Sequence, residues 1–217
     1  MVKFQTLKGN YNPQAYKILV ILKKKYSGAK IALKYGNNIQ LLISVILSAQ
    51  CTDKKVNEVT TNLFKKYRTV NDFASANQKI LEKEVKSCGF YRVKAKNIIA
   101  SAQKIKENFS GKLPKTMKEM LTLPGVARKT ANVVLGNAYG VVEGIAVDTH
   151  VKRFAEYCEL SKYKDPNKIE QDLMNLFPKK DWFKFTYMAI DHGRSWRANK
   201  KLHKDCGVCK LCPRFLK

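Results

Sequence analysis

The segment Ile39–Ala49, IQLLISVILSA, sets the strongest limit on how this chain can fold. Asn38 stands before it as a helix cap, and the run that follows is apolar almost all round at helical spacing. Such a helix must be covered on every side, so other elements have to surround it. It is also far short of the roughly 20 residues a membrane helix needs.

The rest of the sequence supplies the covering helices. Asn12-Pro13 reads as a cap and first residue, with Tyr16, Leu19, Leu22 and Tyr26 on one stripe. Thr52 or Asp53 opens a helix that turns Val56, Val59, Leu63 and Tyr67 inward. A further helix is expected over about 78–88, stopping at Gly89, and another over 93–109, stopping at Ser110-Gly111. Thr116 and Glu119 form a capping box. RKTANVVLGNAY closes at Gly140, Asp148 or Thr149 caps HVKRFAEY, Asp165-Pro166 opens NKIEQDLMNLF, and Asp181 precedes WFKFTYMAID. No stretch alternates apolar and polar residues between turn signals. The expected class is all-α, about ten helices with short loops. Val142-Glu143-Gly144 is the best local candidate for a domain boundary.

Composition bears on the partner. Lys and Arg number 42 against 17 Asp and Glu, a formal net charge of +25. A surplus that large repels itself unless a polyanion is the usual partner, and nucleic acid leads the candidates. The N-terminus lacks an apolar signal core, so the expected location is cytoplasmic, on the nucleoid. The six cysteines are then expected to be reduced. Cys206, Cys209 and Cys212 are bunched as metal ligands are.

The most informative stretch is Leu121–Asp148, LTLPGVARKTANVVLGNAYGVVEGIAVD. Pro124 ends one helix, Gly125 supplies a turn conformation closed to other residues, and a new helix starts beside Arg128, Lys129 and Thr130. A helix N-terminus with free N–H groups is a ready phosphate site that positions DNA without reading sequence.

LPGVARKTANVVLGNAYG followed by IAVDTHVKR resembles the helix-hairpin-helix and catalytic segment of the endonuclease III family of DNA glycosylase/AP lyases. LLISVILSAQCTDKKVN resembles the family's early helix and damage-facing loop, CGFYRVKAKNI its second DNA-facing loop, and Asp191-His192-Gly193-Arg194 its late helix end; together the matches span roughly residues 39–194. The resemblance implies two helical domains with a DNA-binding cleft between them. One is a six-helix barrel over 31–142 that carries the hairpin, and the other combines 1–30 with 143–217. Lys129 matches the nucleophilic lysine and Asp148 the catalytic aspartate, facing each other across the cleft. Asp148 also suits a plain helix cap.

By the same resemblance Gln50 fills the gap left by a flipped base, and Phe90 and Tyr91 wedge the opposite strand. Gly125, Ala127, Arg128, Thr130 and His150 lie along the DNA, with Asp53 near the pocket and Arg92, Lys94 and Lys96 as backbone contacts. Core packing is the competing reading for Phe90. The implied substrate is double-stranded DNA with oxidised pyrimidines or abasic sites, bound by a monomer that does not use membranes.

Two positions depart from the family pattern. Ala127 replaces the hairpin's second glycine. Most members hold a 4Fe–4S cluster on Cys-x6-Cys-x2-Cys-x5-Cys, whereas here Asn199 and Phe215 stand where cysteines belong. Three readings stay open: an empty, degenerate site; a cluster with irregular ligation; or Zn²⁺ on Cys206, Cys209, Cys212 and His203. No cofactor is certain. The rivals for function are a mismatch adenine glycosylase, which would lack Lys129, and a DNA-binding protein without activity.

Overall fold

A computed structural model describes residues 12–198 and 205–215. Among them there are twelve α-helices, two short 3-10 turns and no strand. The chain divides into two compact units, one of residues 32–141 and one combining residues up to Ile31 with those from Val142 onward. Among the described residues no helix is long and apolar enough to cross a membrane.

The unit of residues 32–141 is built around α2 (Asn38–Leu47), where every residue from Ile39 to Leu47 is buried. Its cap is Asn37 rather than Asn38: the Asn37 backbone is extended and its side chain accepts from the Gln40 N–H, while Asn38 is already helical. α3 (Asp53–Lys66), α6 (Tyr91–Asn108) and α8 (Arg128–Tyr139) pack on α2. Thr52 caps α3.

Three short helices complete the unit: α4 (Val70–Ala74), α5 (Gln78–Glu84) and α7 (Met117–Met120). α4 is absent from the sequence expectation because five residues are too few to show a period, although Thr69 and Asp72 close a reciprocal capping box there. The helix expected over 78–88 breaks after Glu84 and continues as a 3-10 turn, Lys86–Cys88. At Thr116 only half of the expected capping box forms: its hydroxyl accepts from the Glu119 N–H, and the Glu119 carboxylate takes the hydroxyl proton instead of a backbone one.

The other unit holds α1 (Pro13–Lys25), α9 (Thr149–Tyr157), α10 (Pro166–Leu176), α11 (Lys179–Ala198) and α12 (Gly207–Leu211). α1 buries Ala15, Ile18, Leu19 and Leu22 in a core shared with Phe154, Leu173, Phe177 and Phe185. Asp181 lies inside the first turn of α11 rather than before it, where it is buried and paired with Lys23 at 2.6 Å. The Gln14 amide donates to the carbonyls of Cys158 and Leu211, and the Trp196 indole N–H to that of Phe215. These bonds fasten Leu211 to α1 and Phe215 to α11, and α1 to the end of α9.

The expectation of six reduced cysteines is corrected here. Cys158 and Cys212 form a disulfide across 54 residues, because α9 and α12 end side by side. Four thiols are outside it: Cys51, Cys88, Cys206 and Cys209. A thiol titration in denaturant with a chelator should therefore count four thiols per chain without reductant and six with it. Reduction should also lower stability by about 2–4 kcal/mol in urea unfolding.

Candidate active site

The hairpin is held from behind by one face of α6. Gly125 sits in the turn at φ +75°, and a Cβ there would lie 2.8–2.9 Å from Asn97. Both the backbone conformation and the close approach therefore call for glycine. The Ser101 hydroxyl donates to the Pro124 carbonyl at 2.7 Å, and Lys104 Nζ to that of Thr122 at 2.9 Å. Asn97, Ser101 and Lys104 are spaced three and four residues apart, one side of a helix.

Ala127 precedes α8 with an extended backbone (φ −90°, ψ 171°) and offers no side-chain cap. Any L-residue adopts that conformation, so alanine at this position introduces no strain. Without a capping oxygen from Ala127, the first turn of α8 presents its N–H groups to an outside acceptor. Lys129 is the second residue of that turn and is exposed, flanked by the half-buried Arg128 and Thr130.

Two further loops carry candidate residues, and both are in unusual backbone states. Gln50, just after α2, is exposed at φ +53°. Phe90, just before α6, has φ +48° and is 64% exposed, which excludes core packing as its role. Neither is glycine, so each left-handed conformation must be held by its surroundings. Tyr91 is half-buried beneath the Arg92 guanidinium, 5.5 Å from its ring centre.

Lys94 supplies that hold. The reading of Lys94 as a DNA contact is corrected: its side chain is buried, and Nζ donates to the carbonyls of Leu47 (2.9 Å), Ala49 (2.7 Å) and Cys88 (2.8 Å). An ammonium has three protons, and all three are used. Burial pushes the Lys94 pKa down, and the three carbonyl dipoles oppose the loss of its proton. Two of the carbonyls lie three residues and one residue before Gln50, and the third precedes Gly89-Phe90. One side chain thus fastens both loops.

In the other unit, Asp148 caps α9. Its Oδ1 accepts from the N–H groups of both His150 (2.9 Å) and Val151 (2.8 Å), which leaves Oδ2 outside the cap. A cap and a working carboxylate are therefore compatible in one residue. His150 is half-buried against Gly193 of α11. Burial lowers its pKa, Asp148 opposes the shift, and Arg194, Arg197 and Arg153 add to it. His203 and Asn199 lie outside the described residues. Cys212 is removed from the expected metal set by its bond to Cys158, and His192 joins Cys206 and Cys209 instead.

Sequence reasoning missed Lys94 as an internal tie. The signal was present: α6 buries Ala95, Ile98, Ala102 and Ile105, and Lys94 and Ser101 fall on the same stripe. A charge on a buried face needs partners, and the partners are distant in sequence.

Two outcomes follow from this geometry. Gly125→Ala should cost about 1–2 kcal/mol from the left-handed backbone alone and should weaken binding to an abasic duplex, read by urea unfolding and by titration. The depressed His150 pKa means that its contribution to stability is fully present above about 6.5, its unfolded value, and is lost as pH falls through the folded value. Unfolding midpoints should fall below about pH 6.5, and His150→Gln should flatten that segment.

Comparison with known proteins identifies the family. Residues 43–179 match the family model described as HhH-GPD superfamily base excision DNA repair protein. Endonuclease III of Synechocystis sp. is 50% identical over 201 residues, covering 92% of each chain. The Bacillus subtilis endonuclease III is 40% identical over 85% of this chain and 84% of that one. Among solved structures, a trapped endonuclease III–DNA covalent intermediate superposes with a TM-score of 0.87 at 37% identity, over 94% of this chain and 96% of that one. A non-covalent endonuclease III–DNA complex matches equally well, at 38% identity. The chain belongs to the endonuclease III family, the DNA glycosylase/AP lyases of base excision repair.

Proposed function

We propose that Lys129 is the nucleophile of this glycosylase/lyase and that Asp148 is its partner carboxylate. The observation that carries the reading is the exposed position of Lys129 in the first turn of α8, directly after a hairpin turn fixed by α6. That turn can receive a backbone phosphate on its N–H groups, which brings the neighbouring sugar to the lysine. Gly125, Ala127, Arg128 and Thr130 make up this phosphate contact. The trapped covalent DNA complex of a relative supports a covalent route.

The amine, once deprotonated, attacks C1′ of the damaged nucleotide. The N-glycosidic bond breaks, and its electron pair leaves with the base. The sugar ring opens to a protonated imine on Lys129 Nζ. That cation acidifies the C2′ proton; a base removes it, the electrons shift, and the 3′ phosphate departs. Water then hydrolyses the imine and restores the lysine. Asp148, through Oδ2, stabilises the positive charge that grows on the sugar and takes part in moving the proton.

Gln50 and Phe90, held in their strained conformations, occupy the gap left by the extruded base and part the opposite strand, with Tyr91 next to Phe90 in the chain. The substrates are oxidised pyrimidines such as thymine glycol, and abasic sites, in double-stranded DNA, and the enzyme works as an intracellular monomer. A surplus of 25 positive charges provides the sequence-independent attraction to the duplex.

Borohydride should trap a covalent complex between the wild type and a thymine glycol duplex, and Lys129→Ala should give none. Asp148→Asn should keep the helix cap, since asparagine caps as well as aspartate, yet lose about 10²–10⁴ in turnover. Tight binding to lesion and abasic duplexes with neither trapping nor strand cleavage by the wild type would favour a DNA-binding protein without activity.

A further inference from the structure

The cysteines at the end of the chain do not fit the family's 4Fe–4S cluster. That cluster takes four thiolates, each on a different iron, so the body of the cluster holds them apart. Here Cys212 is bonded to Cys158. The remaining pair, Cys206 and Cys209, converges with His192 so that all three ligand atoms lie within 4.8 Å of one another. That spacing belongs to a single ion.

We propose that His192, Cys206 and Cys209 bind one Zn²⁺ ion. Bonds of about 2.3 Å to sulfur and 2.0–2.1 Å to imidazole, at the tetrahedral angle, put a sulfur and a nitrogen about 3.6 Å apart. Cys209 Sγ and His192 Nε2 are 3.6 Å apart. The ligand set also meets the chemistry of the ion, which takes thiolate and imidazole readily.

The surroundings fit as well. A metal-bound imidazole fixes its tautomer through its other nitrogen. His192 Nδ1 lies 3.2 Å from Tyr26 Oη, so the Nδ1 proton is donated there and Nε2 turns its lone pair to the ion. Lys25 Nζ, 3.8 Å from Cys206 Sγ, donates towards that sulfur. Phe154 and Phe215 lie edge-on to the His192 ring, at 5.5 and 5.0 Å between centres, and keep bulk water away. All three ligands are buried. Zn²⁺ and two thiolates sum to zero charge, so the filled site puts no net charge into this apolar setting. Both cysteines bind as thiolates, and one coordination position remains for a small exogenous ligand.

The site joins α11, which carries His192, to the short α12 that Cys206 and Cys209 flank and occupy. It therefore pins the C-terminal segment where other family members use the cluster.

Purified protein analysed for metals should hold about one zinc per chain, with neither iron nor acid-labile sulfide. Its zinc absorption edge should fit two sulfurs at about 2.3 Å and an imidazole nitrogen at about 2.0 Å. Stripped and refilled with cobalt, the wild type should show tetrahedral d–d bands and thiolate-to-cobalt charge transfer. His192→Gln and Cys209→Ser should each cut zinc content at least about tenfold, while Cys212→Ser keeps it. Stoichiometric iron and sulfide in the wild type would overturn the proposal. So would a wild type that neither retains zinc nor takes up cobalt, or full zinc content in both ligand variants.

Discussion

A single buried ammonium sets the geometry of the unit that carries the hairpin. Lys94 hands its three protons to three carbonyls, two at the end of α2 and one before Gly89. Removing it would leave the buried carbonyls of Leu47 and Cys88 without their donor, at a cost of about 1–3 kcal/mol for each unsatisfied group. The tie is more than stability. It fixes the chain immediately ahead of Gln50 and Phe90, two residues whose positive φ angles need enforcement. The same helix then reaches the hairpin turn through Asn97, Ser101 and Lys104. Three loops thereby take their positions from one rigid element.

The second unit uses a similar device at smaller scale. Asp148 directs one carboxylate oxygen into the backbone of α9 and keeps the other outside the cap. The helix that it starts is anchored by Phe154 in an aromatic cluster, and it ends at the disulfide. A carboxylate in a protein of charge +25 that binds DNA is costly unless oriented, and the cap orients it.

Much of this was legible in the sequence. IQLLISVILSA could only be a central helix, and every residue of Ile39–Leu47 is buried. Gly125, the start of α8 at Arg128, and the cap at Asp148 follow from local rules, because turns and caps are decided by residues a few positions apart. The illegible parts depend on distant partners. Lys94 is 47 residues from Leu47, and in a chain so rich in lysine a surface role is the natural first reading. Cys158 pairs across 54 residues, and His192 meets Cys209 only because α11 and α12 converge. Local spacing grouped Cys212 with Cys206 and Cys209, because spacing carries no information about Cys158, to which Cys212 is bonded.

The most direct test of α6 as the common anchor is amide hydrogen exchange in the wild type and Lys94→Met. The account predicts that Ala49–Asp53 and Cys88–Tyr91 lose protection together, while α2 and α8 stay protected. Unchanged exchange in both loops of a folded Lys94→Met protein, or loss in only one of them, would contradict it.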